Sequence, residues 1–200
     1  VTLDYRKEAW GIERIVLDTV SNHLDGQRTS TEVEYLQEDG WVDFRESDVG
    51  KPVYAVRVKD DGIGFDYKLL DMLFSPKDSD KKSIGQFGEG LKLAATGSIR
   101  EAIDLRYFSR NWSAKPFSID EVIDEGRKSE RTVQRLCFEV EIDEGEKNGS
   151  ETIFHNPTSS LIKTVNNLSN TVLAFNDEHE VLYCGESLGY EPKIINLKND

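Results

Sequence analysis

The sequence predicts an α/β (α+β) architecture of two layers, on three observations. Stretches with strand-like alternation and stretches with helical apolar spacing follow one another along the chain, as a layered fold requires. Two hundred residues suit one domain and are enough to bury a real core. Two glycine motifs punctuate the pattern, one after a strand and one before a helix, where a layered fold makes its turns.

Each element follows from its residues. In EAWGIERIVLDTVSNHLDG (8–26), Ile12, Ile15, Val16, Val20 and Leu24 recur at three- and four-residue steps and predict a helix. Asp25-Gly26 ends it, with glycine suited to the left-handed position after a helix. Residues 27–52 are polar and read as irregular, with EVEYLQ and WVDFRE as short-strand alternatives. VYAVRVKD (53–60) predicts a strand, DYKLLDMLF (66–74) a helix, and 75–90 a polar, lysine-bearing loop. GLKLAATGSI starts a helix within the glycines. AIDLRYFS, TVQRLCFEVEID, ETIFHN, NTVLAFN and EVLYCG are the later strand candidates. The charged segment 118–131 and a helix over SSLIKTVNNL separate them.

A net charge of −13, spread over the chain, argues against a stand-alone nucleic-acid binder, which would show a basic footprint. No stretch approaches the length of a membrane span, no signal peptide opens the chain, and the expected compartment is the cytoplasm. Cys137 and Cys184 read as reduced core residues. The scattered histidines offer no metal-ligand spacing. An opening without Met and a close on NLKND suggest a piece of a longer protein.

On a helical wheel advancing about 100° per residue, Asp18, Asn22 and Asp25 share the side opposite the apolar stripe. A solvated polar face would look similar, but asparagine competes for backbone hydrogen bonds and suits a helix interior poorly. An acid one turn before an amide can accept a proton from water while the amide oxygen binds a hard cation. His23, beside the stripe, reads as a packed, hydrogen-bonded histidine rather than a ligand. KDDGIGFDY (59–67) lacks the third glycine of a dinucleotide fingerprint, since Tyr67 holds its place. GQFGEGLK (85–92) lacks a Walker lysine, since Leu91 stands where it should follow. What remains is Asp-x-Gly after a strand and GxxGxG before a helix. Bare backbone admits a flat base or a phosphate, and a helix start at 88–91 directs free N–H groups at an anion.

The order and spacing of DTVSNHLDG, DDGIGF, a loop of lid length and GQFGEGLK resembles the GHKL ATP-binding superfamily. That superfamily holds the ATP-binding component of DNA gyrase, the ninety-kilodalton heat-shock chaperone, histidine kinase catalytic domains, MutL and the MORC ATPases. The resemblance covers roughly residues 8–156, and the GLK ending of the second glycine motif looks closest to the MORC and chaperone branches. It implies the Bergerat-type fold, a two-layer sandwich with a mixed sheet backed by helices. The domain would span 1–176, with a lid at about 75–90 and a following segment from 177 to 200.

By matching position, the resemblance implies Asn22 as the ligand of Mg²⁺ and, through it, of the phosphates of ATP, with Asp25 on the same helix face. Asp61 would accept from the adenine amine, Gly62 and Gly64 would clear the base plane, and Asp60 would be a bystander. Gly85, Gly88, Glu89, Gly90 and Leu91 would wrap the triphosphate. Lys92 would approach a phosphate or face solvent, and Lys77, Lys81 and Lys82 would offset phosphate charge or serve loop solubility. In GSETIFHNP, Ser150 and Thr152 both compete to place a hydroxyl near adenine.

Hydrolysing branches carry Glu where this chain has Asp18, shorter by one methylene, roughly 1.5 Å. A base must lie about 2.6–3.2 Å from its proton, so the resemblance implies an Mg²⁺-dependent ATPase of slow turnover. Its lid closure over ATP would drive homodimerisation, and further domains of the same chain would complete it. The alternative is a nucleotide sensor in which Asp18 is not a base. Phosphotransfer is a third reading, but no phospho-accepting helix is found.

Overall fold

The computed structural model describes residues 1–5, 7–24, 30–71, 90–126, 128–145, 147–172, 175, 182–183 and 186–187. Seven strands form the main sheet: β1 (Thr31–Gln37), β2 (Gly40–Asp43), β3 (Ala55–Asp60), β4 (Asp104–Ser109), β5 (Trp112–Ile123), β6 (Arg131–Ile142) and β7 (Ser150–His155). Their spatial order is β2-β1-β3-β7-β4-β5-β6, and every ladder is antiparallel. The expected mixed sheet is corrected here. β3 and β4 run in the same direction, joined across a helix, but β7 inserts between them and pairs antiparallel with both. No parallel ladder therefore forms among the described strands.

Helices α1 (Ile12–His23), α2 (Gly90–Arg100) and α3 (Ser159–Asn166) make the second layer. The apolar stripe read on the first helix is its buried face: Ile15, Val16 and Val20 are fully enclosed. The helix is shorter than expected. Residues Lys7–Ala9 form a separate 3-10 turn, and extended Gly11 precedes the first turn of α1. α2 presents Ala94, Ala95, Gly97 and Ser98, all buried, so the two helices approach closely. A Cβ on Gly97 would lie 2.6 Å from Ile15 Cδ1.

Alternation along the strands fills the space beneath. Tyr35, Val56, Phe154 and Leu105 lie side by side in register, as do Val33, Val58, Thr152 and Tyr107. The opposite face is charged: Arg57 reaches Glu34 at 2.7 Å and stacks 4.2 Å from the Trp41 ring, while Lys59 meets Glu32. Burial of one face and solvation of the other sets register, because a one-residue slip would exchange them.

Four expectations about elements change. The segment 27–52 contains β1 and β2, the strand alternatives of the sequence reading. The charged segment 118–131 is strand at both ends and a turn between them: β5 and β6 pair over their full length, from Trp112–Ile142 to Ile123–Arg131. DYKLLDMLF opens as a 3-10 turn, Tyr67–Leu70, capped by the Asp66 carboxylate, which accepts from Lys68 N. NTVLAFN begins inside a helix, α4 (Leu168–Thr171), rather than a strand. Cys137 is a half-buried free thiol on β6, not a core residue, and Cys184 lies outside the described residues. Among the described residues no helix is long and apolar enough to cross a membrane.

Candidate functional site

The apolar rows of the sheet give way to a polar row at one end. Thr31, Asp60, Ser150, Ser109 and Trp112 are successive partners across five strands. In β3 the inward side chains are Val56, Val58 and then Asp60, whose carboxylate is enclosed. Its Oδ2 lies 2.6 Å from His23 Nδ1, and its Oδ1 accepts from Gly62 N at 2.9 Å. Asp61, one residue on, points outward, and its Oδ1 accepts from Ser30 N at 2.8 Å. The expectation gives the base to Asp61 and sets Asp60 aside, although Asp60 is the acid of the Asp-x-Gly motif that ends at Gly62. Alternation reverses that: Asp60 is the carboxylate on the helix side of the sheet, and Asp61 is exposed.

The glycine turn after β3 is pinned from three directions. Gly62 O accepts from Gly149 N at 2.6 Å, and Ser109 Oγ accepts from Phe65 N at 2.9 Å. Trp112 Nε1 donates to Phe65 O at 2.8 Å, and the two rings meet edge to face. Gly64 is in the left-handed region at φ +68°, and a Cβ there would lie 2.7 Å from Ser109 Oγ. Gly149 has φ +84°, and its Cβ would overlap the Asp60 carbonyl oxygen. Gly149 escapes a sequence reading; the signal for it is its place immediately before the strand that pairs with β3.

Asp18 and Asn22 do share a face of α1, and that face meets the start of α2. A Cβ on Gly90 would stand 3.3 Å from Asn22 Nδ2, a tight contact, and 4.0 Å from Asp18 Oδ2, an ordinary one, so the start of α2 lies against this face. Gly90 is the first described residue of the eleven-residue helix α2, and the N–H groups of a helix's first turn carry the positive end of its dipole. Asp18 holds an ion pair with Arg14 Nε at 2.9 Å. Burial raises the pKa of its carboxyl above the ordinary range, and Arg14 offsets this only in part. No group of three His, Cys, Asp or Glu residues that could hold a metal occurs among the described residues. A single amide oxygen from Asn22 fits Mg²⁺, which takes most of its ligands from phosphates and water.

Lys92 does not face solvent. It is buried, with Nζ donating to Leu69 O at 3.3 Å, which removes the exposed alternative. Leu91 packs on the core and its carbonyl accepts from Tyr107. Ser150 and Thr152 part company: Ser150 Oγ pairs with Ser109 Oγ at 3.0 Å, whereas Thr152 Oγ1 lies 2.9 Å from His23 Nε2. His23 is the packed, doubly hydrogen-bonded histidine expected. Asp25, Lys77, Lys81, Lys82, Gly85, Gly88 and Glu89 lie outside the described residues.

An amide and an acid on one helix, the bare start of a second, and an enclosed carboxylate beside a glycine turn form one end of a single α+β layer pair. The model of the family described as histidine kinase-, DNA gyrase B-, and HSP90-like ATPase matches residues 8–158. The chain belongs to this family. Membership in the GHKL superfamily supports ATP binding and ATPase-type activity in general terms. No curated protein matches the chain.

Proposed function

We propose that this GHKL chain binds ATP with Mg²⁺ at the polar end of the sheet and hydrolyses it slowly. The observation that carries the reading is the meeting of Asp18 and Asn22 with the N-terminus of α2 at Gly90. Phosphates would lie against the α2 N–H groups, with Asn22 as the protein ligand of the metal, which supplies charge neutralisation when bound. Asp60 replaces Asp61 as the acceptor for the adenine amine, with Thr152 as its hydroxyl neighbour in preference to Ser150. Asp18, its pKa raised by burial, suits a base that must lose and regain a proton. Its short side chain supports slow turnover, since a displacement near 1 Å costs on the order of 10²-fold.

The reading extends to a nucleotide switch, in which the 75–90 segment covers bound ATP and two copies associate. The GLK ending of the second glycine motif supports kinship with the MORC and chaperone-like branches. A non-catalytic sensor is the second reading, favoured by the Arg14 ion pair that gives Asp18 a structural partner. The test compares ATP affinity of Asp60→Asn and Asp61→Asn. Affinity should fall by at least about tenfold, near 1.4 kcal/mol, in the first and stay near the wild-type value in the second. The reverse order would return the base to Asp61, and no loss in either would remove the base from this end of the sheet.

A further inference from the structure

His23 is the last residue of α1, and its imidazole is buried between α1, β3 and β7. Nδ1 sits 2.6 Å from Asp60 Oδ2 and Nε2 sits 2.9 Å from Thr152 Oγ1, so one ring joins the two groups assigned to the base. The other Asp60 oxygen already accepts from Gly62 N. An ionised carboxylate only accepts, so the hydrogen shared with Asp60 belongs to Nδ1. In the neutral ring, Nε2 is then an acceptor. In that form of the ring the single hydroxyl proton of Thr152 points at Nε2, leaving Thr152 Oγ1 only lone pairs to offer elsewhere.

We propose that His23 is the specificity-determining residue of the base site: by holding the Thr152 hydroxyl proton, it makes both Asp60 and Thr152 acceptors toward the base. Such a pair receives a purine edge bearing an amine and opposes one bearing a 6-oxo group, whose lone pairs would face buried acceptors. A free threonine hydroxyl would rotate and donate to the 6-oxo oxygen. His23 removes that escape, so selection works by building a repulsion against the wrong base. The inference rests on the reading of Asp60 and Thr152 as the groups that meet the base.

His23→Asn keeps a donor near the Nδ1 position for Asp60 but releases Thr152. Binding of ATP and of inosine triphosphate, which carries the 6-oxo group, is measured for both proteins. The wild type should prefer ATP by at least about 10²-fold, by analogy with sites whose polar groups are left unpaired by the wrong substrate. The preference should fall at least about tenfold in His23→Asn and recover when Thr152→Val is added, because the released donor is gone. A preference unchanged in His23→Asn, with ATP still bound, overturns the inference alone; wild-type protein that binds no ATP overturns the underlying reading as well. Nitrogen-15 shifts of the His23 ring in the unaltered protein give a readout free of folding effects. Nδ1 protonated with Nε2 bare is the expected result, and a ring protonated at Nε2 overturns the inference.

Discussion

At the scale of single residues, Asp18 is where stability and chemistry pull against each other. Burial holds its carboxyl pKa above the ordinary 3.8, so the ionised form is less favourable in the folded chain than in the unfolded one. For a raised carboxyl the sign is the reverse of the usual salt-bridged case. The destabilisation is fully present above the folded pKa and disappears as pH falls through it toward 3.8. Asp18→Asn should therefore raise the melting temperature at neutral pH, and the gain should vanish below about pH 3.8. Loss of the Arg14 pair subtracts little, because pairs with one exposed partner contribute about 0–1 kcal/mol. The same variant should release no phosphate while still binding ATP. Undiminished release would favour another base, and an unaltered melting temperature at pH 7 would contradict the buried-charge account. Asp18 and Asn22 are legible in the sequence because helical spacing places i and i+4 on one face. Asp60 is legible too, in the alternation Val56, Val58, Asp60 and as the acid of Asp-x-Gly ending at Gly62; assigning the base to its neighbour Asp61 overlooks both.

At the scale of elements, the strongly periodic pieces read correctly, and the pieces fixed by partners do not. α1, α2, β3 and β7 carry their own pattern. β5 does not: Pro116 and a run of acids obscure it, and it exists because β6 pairs with it throughout. Pro116 is tolerated because it lies beyond Trp112–Ala114, the residues that match β4 on the other side. From there β5 has one neighbour, and a missing N–H on an open edge costs nothing. The approach of β7 to the glycine turn is equally illegible, since it depends on register between strands about ninety residues apart. That register makes Gly149 necessary. Gly149→Ala would place a Cβ on the Asp60 carbonyl at a left-handed φ, at a cost of about 2–5 kcal/mol from strain and overpacking. Urea unfolding should show stability reduced by that amount, together with weaker ATP binding, since the turn carrying Gly62 must move. A change under about 0.5 kcal/mol would mean that β7 does not hold this turn.

At the scale of the whole molecule, the proposed site draws on parts that meet only in the folded chain. Asn22 comes from α1, Gly90 from α2, Asp60 from β3 and Thr152 from β7, and none of them is near another in sequence. A ligand held by all four binds the native state and not the unfolded one, so its affinity adds directly to stability. At a hundred times its dissociation constant, MgATP should contribute about 2.7 kcal/mol. For a chain of this length each kcal/mol moves the midpoint by about 2–4 °C, so the melting temperature should rise by roughly 5–11 °C. The net charge of −13 works against a bare polyanion, which makes the metal part of the expectation: ATP with chelator should give a much smaller rise than ATP with Mg²⁺. GTP should give less than ATP, because its 6-oxo group meets Asp60 and Thr152 as acceptors. Equal rises for the two nucleotides would mean that the base lies away from the buried carboxylate. A rise from ATP that ignores the metal would take Asn22 out of cation binding and leave the α2 N-terminus alone to hold the phosphates.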